Sequence, residues 1–324
     1  MITFNEAQDI ICREFEELDF TDTPSELYKP INYILSIGGK RIRPVLTLMA
    51  CNLFSDDYSK VIKPAVALEV FHNFTLLHDD IMDNANTRRN HPTVHKIWNN
   101  NVAILSGDAM CIKAYSFVAQ CEPSKLSEIF NIFNRTAIEV CEGQQYDMNF
   151  ETQENVSIDE YIRMIKLKTA VLIAACLEIG ALIGGASREE SELLYHYGLN
   201  IGLAFQLQDD LLDVYADEVF LGKETGKDII SNKKTFLLIK AIEIASGKDL
   251  EELKKWILKK EFDPVEKIRS VRSIYDKLDI KTIVNAKLLE YFSKAEELFQ
   301  QLKADDKRKT ELRKFSDLIK ERIF

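Results

Sequence analysis

The sequence predicts an all-α fold from three observations. Apolar residues recur at spacings of three and four from end to end, no stretch alternates as a half-buried strand does, and turn formers are scarce. Glycine contributes 12 residues and proline 7 of 324, where average usage of about 7% and 5% would give roughly 23 and 16. So few turn residues argue against a sandwich, a barrel or a repeated βαβ fold. With 46% apolar and 29% charged residues, the chain can build one large core or two modest ones and is neither disordered nor a mini-protein.

Taken in order, the first helical stretches lie before a break at residues 20–30 and between that break and GGKRIRP. Residues 44–54 follow, with Val45, Leu46, Leu48, Met49 and Leu53 on helical spacing; then Val66, Leu68, Val70, Phe71, Phe74 and Leu77 carry the pattern up to Asp79. Further breaks at 55–59, 84–92, 122–124, 151–157 and 219–232 cut the chain into roughly ten helices of ordinary length or longer. Residues 169–187 are apolar except for Glu178, and Gly180, Gly184 and Gly185 sit in their second half, which fits a buried core helix better than a membrane span. From about Gly247 the segments become charge-rich and amphipathic, as in DLEELKKWILKKE, and are expected to form outer helices on a more apolar bundle. No Gly/Ser or Pro-rich linker and no repeat of 20 to 50 residues interrupts the chain, so residues 1–324 are expected to form one domain with a peripheral C-terminal layer.

The charge balance, 52 acidic against 42 basic residues for a net charge of -10, opposes a nucleic acid backbone, so any anionic ligand must be captured locally, through metal. Six scattered cysteines without a CxxC pair read as buried thiols in a reducing compartment. The opening residues carry acids every few positions and lack a basic segment followed by an apolar one, so the cytoplasm is expected.

Two local patterns carry the chemistry. HDDIMD holds Asp79, Asp80 and Asp83, and QDDLLD holds Asp209, Asp210 and Asp213. Positions four apart on a helix lie one above the other, so each DDxxD presents a pair of carboxylates in one direction. A single such run is more often a solvated acidic face. One DDxxD by chance has odds of about one in ten and two have odds of about one in a hundred, so the pair is the signal. Like charges at this spacing call for a cation, and Mg2+ suits, being a hard ion held by one or two carboxylates while water and phosphate oxygens complete its shell.

Cationic side chains able to grip phosphate cluster beside these motifs. Gly38-Gly39-Lys40-Arg41-Ile42-Arg43-Pro44 opens a helix with Lys40, Arg41 and Arg43 near its positive end. Arg88 and Arg89 follow the first acidic cluster, and Lys223, Lys227 and Lys233 follow the second. Alone, each would more often be a solubilising charge. His91 and His95 have a spacing that binds zinc on a helix, but Pro92 delays the helix and no third ligand is near, so they are not read as a zinc site.

These residues together resemble the trans-isoprenyl diphosphate synthases, the polyprenyl synthetase family. GGKRIRP is similar to that family's GGKRxRP, FTLLHDDIMD to its first aspartate-rich motif, FQLQDDLLD to its second, RRNHPTVH to RRGxPTxH and AILSGDAM to AILxGDxL. The agreement in order and spacing runs from about Ser36 to Thr235. The resemblance implies an all-α isoprenoid synthase fold of roughly ten core helices around a deep central cavity, usually a homodimer, with no nucleic acid partner. It implies head-to-tail condensation of isopentenyl diphosphate onto an allylic diphosphate: dimethylallyl, geranyl or farnesyl diphosphate. Asp79, Asp83 and Asp209 would hold Mg2+, three ions per site, with Asp80, Asp210 and Asp213 in support. Arg88, Lys168, Lys223 and Lys233 would bind the allylic diphosphate, with Lys234 an alternative to Lys233. Lys40, Arg43, His72 and Arg89 would anchor isopentenyl diphosphate, and Thr169 and Gln206 would present oxygens to the developing cation. Asn90 and Asn232 stand where many members have Gly, and His72 where farnesyl-type members often have Gln.

This chemistry is physically coherent. Cleaving an allylic C–O bond concentrates negative charge on the diphosphate and leaves a delocalised cation, so the site must stabilise the first and keep water from the second. Family resemblance gives the final proton to the released pyrophosphate.

Tail length should depend on the helix that ends in the first DDxxD. Phe71 and Phe74 share a face and sit about 12 and 7 Å before Asp79 along the axis. Core packing would explain them too. In related enzymes a bulky residue five before the first Asp limits elongation, and Phe74 is there beside the smaller Thr75. A short product is therefore expected, geranylgeranyl diphosphate first and farnesyl diphosphate second. The rivals are a class I terpene cyclase, which would not need two DDxxD clusters, and a noncatalytic partner subunit, which should have lost acidic ligands.

Overall fold

The computed structural model describes residues 2–216 and 225–320. Among these it contains sixteen α-helices and one two-stranded hairpin, Thr87–Arg88 paired antiparallel with His91–Pro92. The fold is all-α as the periodicity predicts, and the helices outnumber the expected ten; one short helix, Lys227–Ser231, forms inside a segment read as a break.

The chain divides into two compact units. The first comprises Met1–Arg135, Ala175–Tyr195 and Leu302–Phe315; the second comprises Thr136–Ala174, His196–Gln301 and Ser316–Phe324.

In the first unit, α1 (Phe4–Glu16) starts on a capping box. Thr3 Oγ1 accepts from Glu6 N at 3.2 Å, and Thr3 N donates to the Glu6 carboxylate at 2.7 Å. Helix α2 (Ser25–Ser36) begins inside the expected break and contains Pro30. The ring forfeits one backbone hydrogen bond, but Pro30 and its neighbour Ile31 are buried, so packing overrides the local preference. Helices α3 (Ile42–Phe54) and α4 (Ile62–Met82) are buried on almost every side, α3 from Pro44 to Leu53 and α4 from Pro64 to Phe71. The last turn of α4 carries the first aspartate cluster, and after the hairpin come α5 (Val94–Ile97) and α6 (Asn100–Val118).

The apolar stretch that resembles a membrane span belongs to a continuous helical run, Ile158–Gly184, in which 78% of the most apolar window is buried. Its final part, in α9 (Val171–Gly184), packs on α3 so closely that a Cβ at Gly180 would lie 2.2 Å from Thr47 O, and one at Gly184 would lie 2.4 Å from Cys51 O. The glycines therefore mark backbone-to-backbone helix packing in a protein core.

In the second unit, the C-terminal part of α7 (Leu126–Thr152) is followed by α8 (Ile158–Ile165), which Ser157 and Glu160 cap reciprocally. A π-helical segment, Lys166–Ala170, joins α8 to α9. The C-terminal part of α10 (Arg188–Tyr215) carries the second aspartate cluster. Helices α11 (Lys227–Ser231), α12 (Phe236–Ile244), α13 (Gly247–Leu258), α14 (Pro264–Lys277) and α15 (Ile280–Gln300) follow, and the chain returns through α16 (Asp306–Lys320). As the amphipathic pattern requires, α13 to α15 each bury one stripe: Leu253 and Trp256; Val271, Ile274 and Tyr275; Val284, Leu288, Tyr291, Phe292, Ala295 and Phe299.

Candidate active site

The first unit brings GGKRIRP, the end of α4 and the arginine hairpin together. Asp80 is buried, Asp79 half-buried and Asp83 exposed. Arg88 reaches back from the hairpin and donates to Asp80 Oδ1 from Nε at 3.0 Å and from Nη2 at 2.6 Å, with Nη2 3.5 Å from Asp79 Oδ2. Burial pushes the Asp80 carboxyl up in pKa while Arg88 pulls it down, and the net shift is upward. Asp80 Oδ2 has no protein partner although it is shielded from solvent.

The turn that aims Arg88 is made by Arg89 and Asn90, both left-handed at φ 52° and 63°. This is the geometry of a two-residue hairpin turn with both central residues at positive φ. Asn90 departs from the family's Gly without breaking the turn, because asparagine tolerates this conformation best among residues with a side chain. Arg89 Nη1 donates to Gly38 O, so the hairpin closes directly onto the GGKRIRP loop.

Within that loop the three cations separate. Lys40 is exposed, and Gln8 Nε2 holds its carbonyl at 2.9 Å. Arg43 Nη1 lies 3.0 Å from His72 Nε2. Burial, with Arg43 the foremost of several nearby arginines, holds the His72 pKa well below its usual range. His72 is thus neutral, and its Nε2 accepts a hydrogen bond from Arg43. Arg41, expected near the positive helix end with the others, turns inward instead. It pairs with Glu69 at 2.9 Å, with both side chains almost wholly buried, and lies 4.3 Å from the Phe15 ring centroid. Asn73 Nδ2 braces the same Glu69 carboxylate at 3.2 Å. Breaking this pair would strand a buried charge, which makes Arg41 an internal clasp of the loop.

His91 and His95 do not share a helix face: His91 is exposed on the hairpin and His95 is buried in α5. Phe71 is buried, and Phe74 and Thr75 are half-buried. The Phe71 and Phe74 ring centroids are 5.5 Å apart, and Thr75 Oγ1 donates to His72 O at 2.8 Å.

The second unit holds a continuous polar chain. Thr169 Oγ1 donates to Gln206 Oε1 at 3.0 Å, Gln206 Nε2 donates to Asp210 Oδ1 at 3.1 Å, and the Tyr161 hydroxyl donates to Asp210 Oδ2. Asp210 is buried, Asp209 exposed and Asp213 half-buried, so in both clusters the second aspartate is the one the protein encloses. Asp213 Oδ2 accepts from Asp228 N at 3.0 Å. Burial raises the pKa of both Asp210 and Asp228, and Asp210 adds to the rise at Asp228.

Lys168 projects from the π segment and binds Asp147 at 2.6 Å, and Lys233 Nζ lies 3.8 Å from the same carboxylate. Burial pushes Asp147 up, but the ammonium groups of Lys233 and Lys168 outweigh it and hold the carboxyl below its usual range. Lys233 is aimed by Asn232, which ends α11 at φ 56° and receives Lys267 Nζ on its side-chain oxygen at 2.7 Å. This second asparagine in place of glycine again occupies a left-handed position. Lys227 is exposed, and Lys223 lies outside the described residues.

Sequence reasoning missed Asp147, Tyr161, Glu69 and Asp228. Each is a single residue inside a helix with no local repeat. Only Asp147, an acid two residues after a Gln-Gln pair in an otherwise amphipathic helix, left even a weak trace. Among the described residues no three His, Cys, Asp or Glu side chains group to hold a metal. Within each cluster the exposed and half-buried carboxylates offer oxygen, the donor type that Mg2+ takes one or two at a time.

Residues 24–277 match the model of the polyprenyl synthetase family. The chain is 44% identical over 230 residues to the geranylgeranyl diphosphate synthase of Methanosarcina mazei, covering 70% of this chain and 71% of that one. It is 42% identical over 250 residues to the short chain isoprenyl diphosphate synthase of Methanocaldococcus jannaschii, covering 76% and 75%. A crystal structure of the geranylgeranyl pyrophosphate synthetase from Pyrococcus horikoshii matches with a TM-score of 0.91 at 34% identity, covering 98% and 97% of the two chains. The chain therefore belongs to the polyprenyl synthetase family and has its all-α isoprenoid synthase fold. Its activity is that of a trans-prenyltransferase, an isoprenyl diphosphate synthase of the short-chain type.

Proposed function

We infer that this chain condenses isopentenyl diphosphate onto dimethylallyl, geranyl or farnesyl diphosphate and releases geranylgeranyl diphosphate as its main product. The layout of α4 carries this reading: the aspartates stand at its C-terminal end, and Phe74 and Phe71 lie on the stretch leading to them. A diphosphate held at the aspartates would send its apolar tail back along that helix toward the rings. The product named for the Methanosarcina mazei relative supports the same length.

Asp79, Asp83 and Asp209 are assigned to Mg2+, three ions in all, with Asp80, Asp210 and Asp213 in support. Bound Mg2+ would neutralise charge on the departing diphosphate. The protein's own groups do the rest. Arg88 and Lys168, each paired with a carboxylate, are assigned to the oxygens of the allylic diphosphate, and Lys223 and Lys233 would add to the same charge. Lys40, Arg43, His72 and Arg89 bind the second diphosphate; His72, kept neutral, orients Arg43 without adding a charge of its own. Thr169 spends its proton on Gln206, so its oxygen lone pairs remain to face a developing cation. Gln206 is fixed in turn by Asp210. The apolar wall withholds water from that cation.

Self-association into a homodimer is supported by an exposed apolar stripe on α6, where Ile104, Leu105 and Ile112 are 43%, 60% and 67% exposed. Leu105→Lys with Ile112→Lys should yield monomers by analytical ultracentrifugation; a sedimentation profile like the parent's would reject this face. The six free thiols support a reducing cytoplasm.

Purified protein with Mg2+, labelled isopentenyl diphosphate and each allylic starter tests the function directly. Geranylgeranyl diphosphate is the expected main product by chromatography. A cyclised hydrocarbon, or no elongation without a second protein, would favour the terpene cyclase or the partner subunit instead.

A further inference from the structure

The aromatic side chains under the first aspartate cluster do not stop at the two on α4. The His78 ring lies 4.8 Å from that of Phe74, Phe74 lies 5.5 Å from Phe71, and Phe71 meets Phe133 of α7 edge-on at 5.3 Å. Phe133 stands edge-on to Tyr115 of α6 at 5.0 Å, and the Tyr115 hydroxyl is tied to Asn134 Oδ1 at 2.9 Å. A column of rings thus leads from the residue beside Asp79, across three helices, to a hydrogen-bonded end. Phe71 and Phe133 are each only 1% exposed, whereas Phe74 is half-buried.

We propose that Phe133 is a further product-length residue, one that limits the tail by holding Phe71 in place once Phe74 no longer blocks it. The inference rests on the reading of α4 as the wall along which the tail grows. Phe71 is caught between Phe74 and Phe133, and a close-packed ring can give way only if a neighbour does. With Phe74 present the tail stops at the first ring, and Phe133 has little influence. With Phe74 cut back, the tail presses on Phe71, and the ring behind it decides whether it yields. The effect of Phe133 is therefore conditional on Phe74, a pattern that general destabilisation of the core would not produce.

The test is product sizing by reverse-phase chromatography with farnesyl diphosphate as starter. It compares the parent, Phe74→Ala, Phe133→Leu and the double variant. Phe133→Ala is avoided because a large cavity could unfold the unit. Phe133→Met, unbranched and flexible where Leu is branched, serves as a second replacement, and circular dichroism verifies folding of each. Phe74→Ala is expected to add one isoprene unit, and the double variant to shift most of its product a further unit. Phe133→Leu alone should change the distribution far less. If both double variants give the profile of Phe74→Ala, the role of Phe133 is overturned while the growing direction stands. If Phe74→Ala itself gives the parent's profile, the direction falls and the inference falls with it.

Discussion

Asp79→Ala and Asp209→Ala should each lower kcat about 100- to 1000-fold, the scale seen when one group stabilising developing charge is removed from a preorganised site. The physical reason is specific to these positions. Each lies in its cluster beside an enclosed aspartate: Asp80 Oδ1 receives Arg88, and the two Asp210 oxygens receive Tyr161 and Gln206. The enclosed carboxylates are directed at protein partners, and the outward ones are those we assign to the cation. Asp209 is exposed, and removing one of several like charges costs a metal-free protein little. The Asp209→Ala protein should therefore melt no lower than the parent without ligands. It should, however, lose the joint stabilisation that Mg2+ and pyrophosphate give together, since that gain depends on binding to the folded state. Calorimetry and steady-state turnover across a Mg2+ titration check both. Parent-like turnover in a protein with both replacements would remove the aspartates from the reaction.

Gly143→Ala should damage the other unit from a position outside the assigned site residues. A Cβ there would lie 2.2 Å from Lys168 N and 2.6 Å from both Leu167 C and Lys168 Cα. These are backbone atoms and cannot rotate aside, so the π segment must shift. Overpacking of this kind costs about 1–3 kcal/mol, and a clear fall in melting temperature is expected. The shift would move Lys168 off Asp147 and Thr169 off Gln206, contacts now at 2.6 and 3.0 Å. Displacement of about 1 Å at reacting groups can cost about 100-fold in rate, so single-turnover rate should fall by about that factor. KM for isopentenyl diphosphate should hold if the proposed ligands bind it, because Lys40, Arg43, His72 and Arg89 lie in the first unit. A variant with the parent's melting temperature and rate would show that the close approach carries no functional strain.

Much of this was readable along the chain because the signals are local. A carboxylate pair four apart declares its shared helix face wherever the helix goes, and the same holds for the apolar spacing that defines α3 and α4. The family motifs were legible as contiguous words. The two asparagines that replace family glycines, Asn90 and Asn232, stand out in the sequence as departures from the family pattern. Their left-handed φ values explain why the loops survive them. Pro30 misled in the opposite direction, because burial kept it inside a helix.

The roles that eluded sequence reading belong to lone residues whose meaning is a partner. Arg41 and Arg43 are two positions apart in one motif, yet one clasps Glu69 inside the core and the other meets His72. Asp147 has no pattern around it and gathers two lysines. Phe133 is one phenylalanine among 18 until it is found against Phe71.

By itself, then, the amino-acid order determined the helical class, the family and the chemistry of acids, bases and aromatic bulk, since all of these are encoded in residue type and short-range spacing. Tertiary structure decided which like-looking side chains are spent on holding the protein together and which are left to meet a ligand. That division turns on burial and on the nearest opposite charge, quantities that exist only once distant segments have packed.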